Sequence, residues 1–182
     1  DRIVYDGPHV SFLGSGYDKM VMVQSFSKTF AMTGWRIGYL LSPDKDFMGE
    51  LTKMQYYVTA CSNDAMQHAV LEALEKYPGY PEEMCAEFKA RRDLICDRLN
   101  AMPGVTCHVP TGAFYVFPKV EIPGMNSEDI ALKLLEGGVL CSPGTAFGSA
   151  GEGHLRFAYT IGREDISRGM DRVESVLSEL ID

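Results

Sequence analysis

Ser25-Phe26-Ser27-Lys28-Thr29-Phe30-Ala31-Met32-Thr33-Gly34-Trp35-Arg36-Ile37-Gly38 is the stretch on which the reading of this chain turns. An apolar run at 20–23 precedes it and reads as a buried strand, and a second at 37–41 follows it. Between them lie two serines, a lysine, a Thr-Gly pair and an arginine, a composition better suited to holding an anion beside an amine than to a simple turn. Arginine offers a planar fork of donors that matches phosphate, and hydroxyls add bonds to its oxygens. A lysine in an aromatic, partly desolvated setting can have its pKa lowered enough to attack a carbonyl. An aldehyde carrying a phosphate satisfies every part of this stretch.

The pattern Ser-x-Ser-Lys-x-x-x-Met-x-Gly-x-Arg-Ile-Gly is long and specific. It resembles the lysine signature of the fold-type I, class I/II aminotransferases, the pyridoxal 5'-phosphate (PLP) enzymes typified by aspartate aminotransferase. The resemblance implies that Lys28 is the catalytic residue and holds PLP as an internal aldimine. It implies that Ser25 and Arg36 bind the cofactor phosphate, with Ser27 in the same shell. Two later segments resemble the family in the same order. Pro110-Thr111-Gly112-Ala113-Phe114-Tyr115 is similar to a segment bordering its active site. Pro143-Gly144, Phe147-Gly148 and Gly153-His154-Leu155-Arg156-Phe157 are similar to the segment whose arginine pairs with the substrate α-carboxylate. That role falls on Arg156. Taken without the family, Arg156 is an arginine inside an apolar strand, which either has an anionic partner or faces water on an edge.

A chain of 182 residues is long enough for one domain or two small ones. Its 25 acidic against 17 basic residues, a net charge of -8, argue against a nucleic-acid surface. No apolar run approaches the roughly 20 residues needed to span a bilayer, and no signal peptide opens the chain. The five cysteines are odd in number and widely spaced, without a Cys-x-x-Cys, which suits reduced thiols in the cytoplasm rather than a disulfide framework or a zinc site. No metal site is expected: His9 has no second ligand at metal spacing, and His68 and His154 read as solvated and structural.

Tyr77-Pro78-Gly79-Tyr80-Pro81 is the clearest break and sets the expected boundary. The expected fold is α/β: residues 1–78 as the remainder of the PLP-dependent transferase large domain, then 79–182 as the small C-terminal α/β domain. Asp44 is expected to cap a helix with Phe47, Leu51, Met54 and Val58 on its apolar face. Ser62 or Asn63 caps the next, with Met66, Val70, Leu74 and Tyr77 as its stripe and Gln67 in a structural role. A long helix follows Pro81 to about residue 102, striped by Met84, Phe88, Ile95, Leu99 and Met102, with Arg91 and Arg92 on its solvated face. Strands are expected at 106–109, 113–120, 139–142 and 155–159. Ser127 is expected to cap a short helix, and a last helix over 163–181 carries Ile166, Met170, Val173, Leu177 and Leu180.

The resemblance implies further expectations. In the family, an Asp for the pyridine nitrogen and a Tyr for the ring oxygen stand just upstream of a stretch like Arg2-Ile3-Val4-Tyr5-Asp6-Gly7. The chain therefore reads as the C-terminal half of an aminotransferase, inactive alone, and Asp1 is not that Asp. The implied reaction moves an amino group from an amino acid to a 2-oxo acid, with Lys28 moving the α-proton and Arg156 placing the substrate. The implied assembly is a homodimer. The scaffold also admits a carbon-sulfur β-lyase, a cyclopropane-forming synthase, or the aminotransferase-like sensor domain of a transcription regulator.

Overall fold

The computed structural model describes residues 2–181, so Asp1 lies outside the described residues. The chain divides into two compact units, one through Met84 and one from Cys85 onward.

In the first unit the apolar runs on either side of the signature form β1 (Met22–Ser25) and β2 (Gly38–Leu41). They pair antiparallel, Met22 opposite Leu41 and Ser25 opposite Gly38. The chain between them winds into a single helical turn, α1 (Phe26–Thr29), and a 3-10 turn, Thr33–Trp35. The helix α2 (Lys45–Thr59) starts where expected, the Asp44 carboxylate accepting from the Phe47 amide at 2.9 Å. Its apolar stripe is not a core face: Leu51 is half-buried, but Met54 is 63% exposed and Val58 72%. In α3 (Asp64–Lys76) the cap is Asn63, and the Gln67 amide donates to the Ser62 carbonyl at 3.0 Å. The buried face of α3 is Val70 and Ala73, whereas Leu74 and Tyr77 point outward. Val70 of the expected stripe is buried, but beyond it Ala73 takes the place expected of Leu74.

The second unit holds a closed core. The helix α4 (Tyr80–Asn100) carries Pro81 in its first turn, where the missing N–H costs nothing. Ile95, Cys96 and Leu99 on α4 are buried. Arg92 overturns the solvated-face expectation, being 4% exposed. Its guanidinium survives burial because Nη1 donates to the Pro110 carbonyl at 2.9 Å and Nε to Asp93 at 2.9 Å. Arg91 is half-buried and so departs from that expectation too, pairing with Glu87 at 2.8 Å and donating to the Thr160 carbonyl at 3.1 Å.

The strands are shorter than the apolar runs suggest. β3 (Val105–Thr106) pairs with β5 (Lys119–Val120), while β4 (Tyr115–Val116), β7 (Leu155–Ala158) and β6 (Ser142–Pro143) form a three-stranded sheet in that order. Every named pair is antiparallel. The expected single strand at 113–120 is split because Pro118 has no amide to donate to a ladder. The helix α5 (Ser127–Glu136) is capped by Asn126, one residue before the expected Ser127. The Asn126 side chain accepts from the Glu128 and Asp129 amides, both at 2.9 Å. Ser127 instead binds Glu152, its amide donating to Oε1 at 2.8 Å. The last helix, α6 (Arg163–Ile181), matches the expected span, and Ile166, Met170, Val173 and Leu177 are buried on it. No described helix is long and apolar enough to cross a membrane.

Candidate active site

The signature folds into a loop closed at its base. Ser25 ends β1 and caps α1, its Oγ accepting from the Ser27 amide at 3.1 Å. The same hydroxyl donates to Ser27 Oγ at 2.8 Å, which draws the two oxygens together. The Phe26 amide donates to the Ile37 carbonyl at 3.3 Å, and Thr33 Oγ1 donates to the Ser27 carbonyl at 3.1 Å. Gly38 is required opposite Ser25, since a Cβ there would lie 2.4 Å from the Gln24 carbonyl oxygen.

Arg36 stands in the left-handed region at φ 54°, ψ 49°. For a residue with a Cβ that conformation costs on the order of 1–2 kcal/mol, the kind of strain that gathers at functional sites. It aims the side chain back across the loop, where Nη1 donates to the Thr33 carbonyl at 2.9 Å. The remaining guanidinium donors are left to another acceptor.

Ser25, Ser27 and Arg36 line one cleft of about 540 Å³, with Gln24, Gly38 and Ser62 among its walls. Among the described residues lining it, Arg36 is the single charged group. The cleft therefore presents one fixed cation and two hydroxyls to its contents. Lys28 lies one turn along α1, exposed and outside the lining of that cleft.

The second cluster is in the second unit. Arg156 lies on β7 opposite Ser142 of β6, and its Nη2 donates to Ser142 Oγ at 3.3 Å. Its guanidinium carbon is 4.7 Å from the centroid of the Tyr115 ring and 4.6 Å from that of Phe147. Arg156 is half-buried and pairs with no carboxylate among the described residues. The sequence pointed to the arginine. It also placed Tyr115 and Phe147 in the two segments that resemble the family's active site, but not against this arginine: they stand 41 and 9 residues before it and meet it through the sheet and a tight turn.

Two neighbours support this cluster. His154 stacks on Phe117 with centroids 5.2 Å apart, and its Nδ1 is 3.0 Å from the Glu152 carbonyl oxygen. The Ser127 and Gly153 amides hold the Glu152 carboxyl below the usual carboxylate range. Burial pushes the Cys141 thiol, beside Ser142, up to about 11, so it is a neutral packing group at pH 7.

Residues 3–173 match the family described as Aminotransferase class I and II. The chain is 39% identical over 181 residues to an aspartate aminotransferase of Pyrococcus horikoshii, covering 97% of this chain and 46% of that protein. It is 38% identical over 185 residues to aromatic-amino-acid aminotransferase 2 of Thermococcus litoralis, covering 98% and 47%. Among solved structures, the aromatic aminotransferase of Pyrococcus horikoshii superposes with a TM-score of 0.89 at 38% identity, over 98% of this chain and 48% of that one. The chain thus spans about half the length of the curated relatives it matches.

Proposed function

The chain belongs to the class I and II aminotransferases, and from that premise we propose that the protein carrying it is a PLP-dependent aminotransferase. The substrates are an amino acid and a 2-oxo acid. The observation that carries the proposal is the cleft on which Ser25, Ser27 and Arg36 converge. Two hydroxyls and a guanidinium with no acidic neighbour in the lining suit a phosphate dianion, so these residues fit the phosphate of PLP. When bound, PLP supplies an electron sink for the pair left behind as a substrate Cα loses its proton.

Each residue's part follows from its chemistry. Arg36 holds the phosphate through charge-assisted bonds, and the Ser25 and Ser27 hydroxyls fix its orientation. Lys28 would hold the cofactor aldehyde through its primary amine and would serve as the general base for the α-proton. Arg156 takes the substrate α-carboxylate in a bidentate pair, for which the planar guanidinium is better shaped than an ammonium. In the same reading residues 1–78 belong to the PLP-binding domain and 79–182 to the small domain. The intact enzyme is a cytoplasmic homodimer.

The test uses the protein that carries this chain, incubated with PLP, reduced with borohydride and digested for peptide mass. A phosphopyridoxyl group on Lys28 is expected. A folded protein with Lys28 unmodified overturns the reading.

A further inference from the structure

We propose that Tyr115 and Phe147 are positioning residues for the substrate α-carboxylate, acting by clamping the Arg156 guanidinium between their ring faces. This rests on the role given to Arg156 above and deepens it. The two rings come from different elements, Tyr115 from β4 beside β7 and Phe147 from the 3-10 turn Gly144–Phe147. Their centroids lie at 4.7 and 4.6 Å from the same guanidinium carbon, well inside the range of about 6 Å over which a cation is drawn to a ring face.

A guanidinium has two faces and one rim of N–H donors. Rings on the faces exclude water there without using a donor. Ser142 Oγ accepts from Nη2, and the other donors stay in the plane. Ring faces carry negative charge density, so a carboxylate is turned away from above and below and admitted along the rim. That is the approach a bidentate pair requires. The clamp also removes rotamer freedom from the long arginine side chain before the substrate arrives, which lessens the entropy cost of binding.

Both rings are braced. Tyr115 has Phe114 at 4.6 Å between centroids. Phe147 meets the edge of Phe117 at 6.0 Å, and Phe117 is itself stacked on His154. The turn carrying Phe147 is fixed by the Gly144 amide donating to the His154 carbonyl at 2.7 Å and the Gly148 amide donating to the Thr145 carbonyl at 3.1 Å. Gly144 and Gly151 pass so closely that a Cβ on either would sit 2.0 Å from the other's carbonyl oxygen. Phe147 is nevertheless 53% exposed. A ring held by that turn and left half in water contributes little to a core, and it lies against the Arg156 guanidinium.

The experiment measures the half-reaction of the PLP-loaded protein that carries this chain with L-glutamate, L-alanine and L-phenylalanine, which share the α-amino acid end and differ in side chain. Phe147→Leu keeps apolar bulk and removes the ring face; Tyr115→Leu does the same from the other side. Each is expected to raise the half-saturating concentration about tenfold, by the same factor for every donor that reacts, as loss of a cation–π contact implies. The maximal rate is expected to change less than about twofold, because the α-carboxylate is held alike in ground and transition states. Phe147→Tyr, which restores a face, is expected to stay near wild type, and Phe147→Leu is expected to add little in an Arg156→Lys background. A near-wild-type half-saturation in both leucine variants, a loss confined to the maximal rate, or a loss that differs among donors overturns the clamp. If Arg156→Lys is severely impaired while both leucine variants are not, the clamp fails and the role of Arg156 stands. If wild type reacts and Arg156→Lys is unimpaired, the role of Arg156 fails, and the clamp with it. Should Phe147→Leu fail to fold, Tyr115→Leu decides.

Discussion

Leu177 on α6 of the second unit is 2% exposed, whereas Met54, at the same kind of stripe position on α2 of the first, is 63% exposed. Both helices carry apolar residues at three- and four-residue spacing. In the second unit α5 packs against α6 and β6, and Leu134, Val173 and Tyr159 are withdrawn entirely from water. In the first unit α2 has no buried residue, and α3 buries only Val70 and Ala73. The lesson concerns what a stripe means. Amphipathic spacing states that a helix has a face to cover; it does not state that the same stretch of chain covers it. The unit with the sparse core also holds the signature loop, with Arg36 in a strained conformation. The well-packed unit holds an arginine braced by rings. The two units thus differ in how much of their apolar spacing is covered, and the contrast can be tested.

The largest expected effect is at Lys28. Lys28→Ala is expected to lower the half-reaction rate by roughly 10³-fold or more, the scale of a lost general base. A rate within about tenfold of wild type would take Lys28 out of the chemistry and leave the signature loop without its base.

Next come the two stripes. Leu177→Ala is expected to cost about 2–5 kcal/mol in denaturant unfolding, the loss of buried methyl groups plus the cavity they leave. Met54→Ala in this same chain is expected to cost under about 1 kcal/mol, since the side chain is mostly in water already. Equal costs would show that the stripe on α2 is as buried in solution as the one on α6.

The smallest effect concerns pH. Backbone amides of Ser127 and Gly153 hold the Glu152 carboxyl below its ordinary value of 4.5. A depressed carboxylate contributes stability that is present above the unfolded pKa and is lost as pH falls through the folded one. The advantage of wild type over Glu152→Gln is therefore expected to be level near neutrality and to shrink as the solution is acidified below about 4.5. An advantage that persists in strong acid would mean that shape, not charge, ties Ser127 to that carboxylate.

Local signals carried much of this chain. The span of α6 was legible because its stripe is regular from Ile166 to Leu177, and Asp44 was legible as a cap because a carboxylate next to a helical pattern binds the amide three residues on. The signature made Ser25, Ser27, Lys28 and Arg36 the candidates through its resemblance to the family, and the structure gathers Ser25, Ser27 and Arg36 on one cleft while leaving Lys28 outside its lining. What the sequence could not decide depends on neighbours far along the chain. Arg92 looks like a solvated charge until the Pro110 carbonyl is seen to accept from it. Ser127 reads as the cap of α5 until Glu152 is seen to take it and Asn126 to accept from the helix amides instead. The apolar run at 113–120 is one strand until Pro118 and the register with β7 divide it. Tyr115 and Phe147 belong to two separate motif segments until the fold brings their ring centroids to 4.7 and 4.6 Å from the Arg156 guanidinium carbon. Composition and spacing determine which groups are available and which faces are apolar, because those properties belong to the residues themselves. Burial, pairing and the approach of one ring to one guanidinium are long-range, and only the tertiary structure decides them.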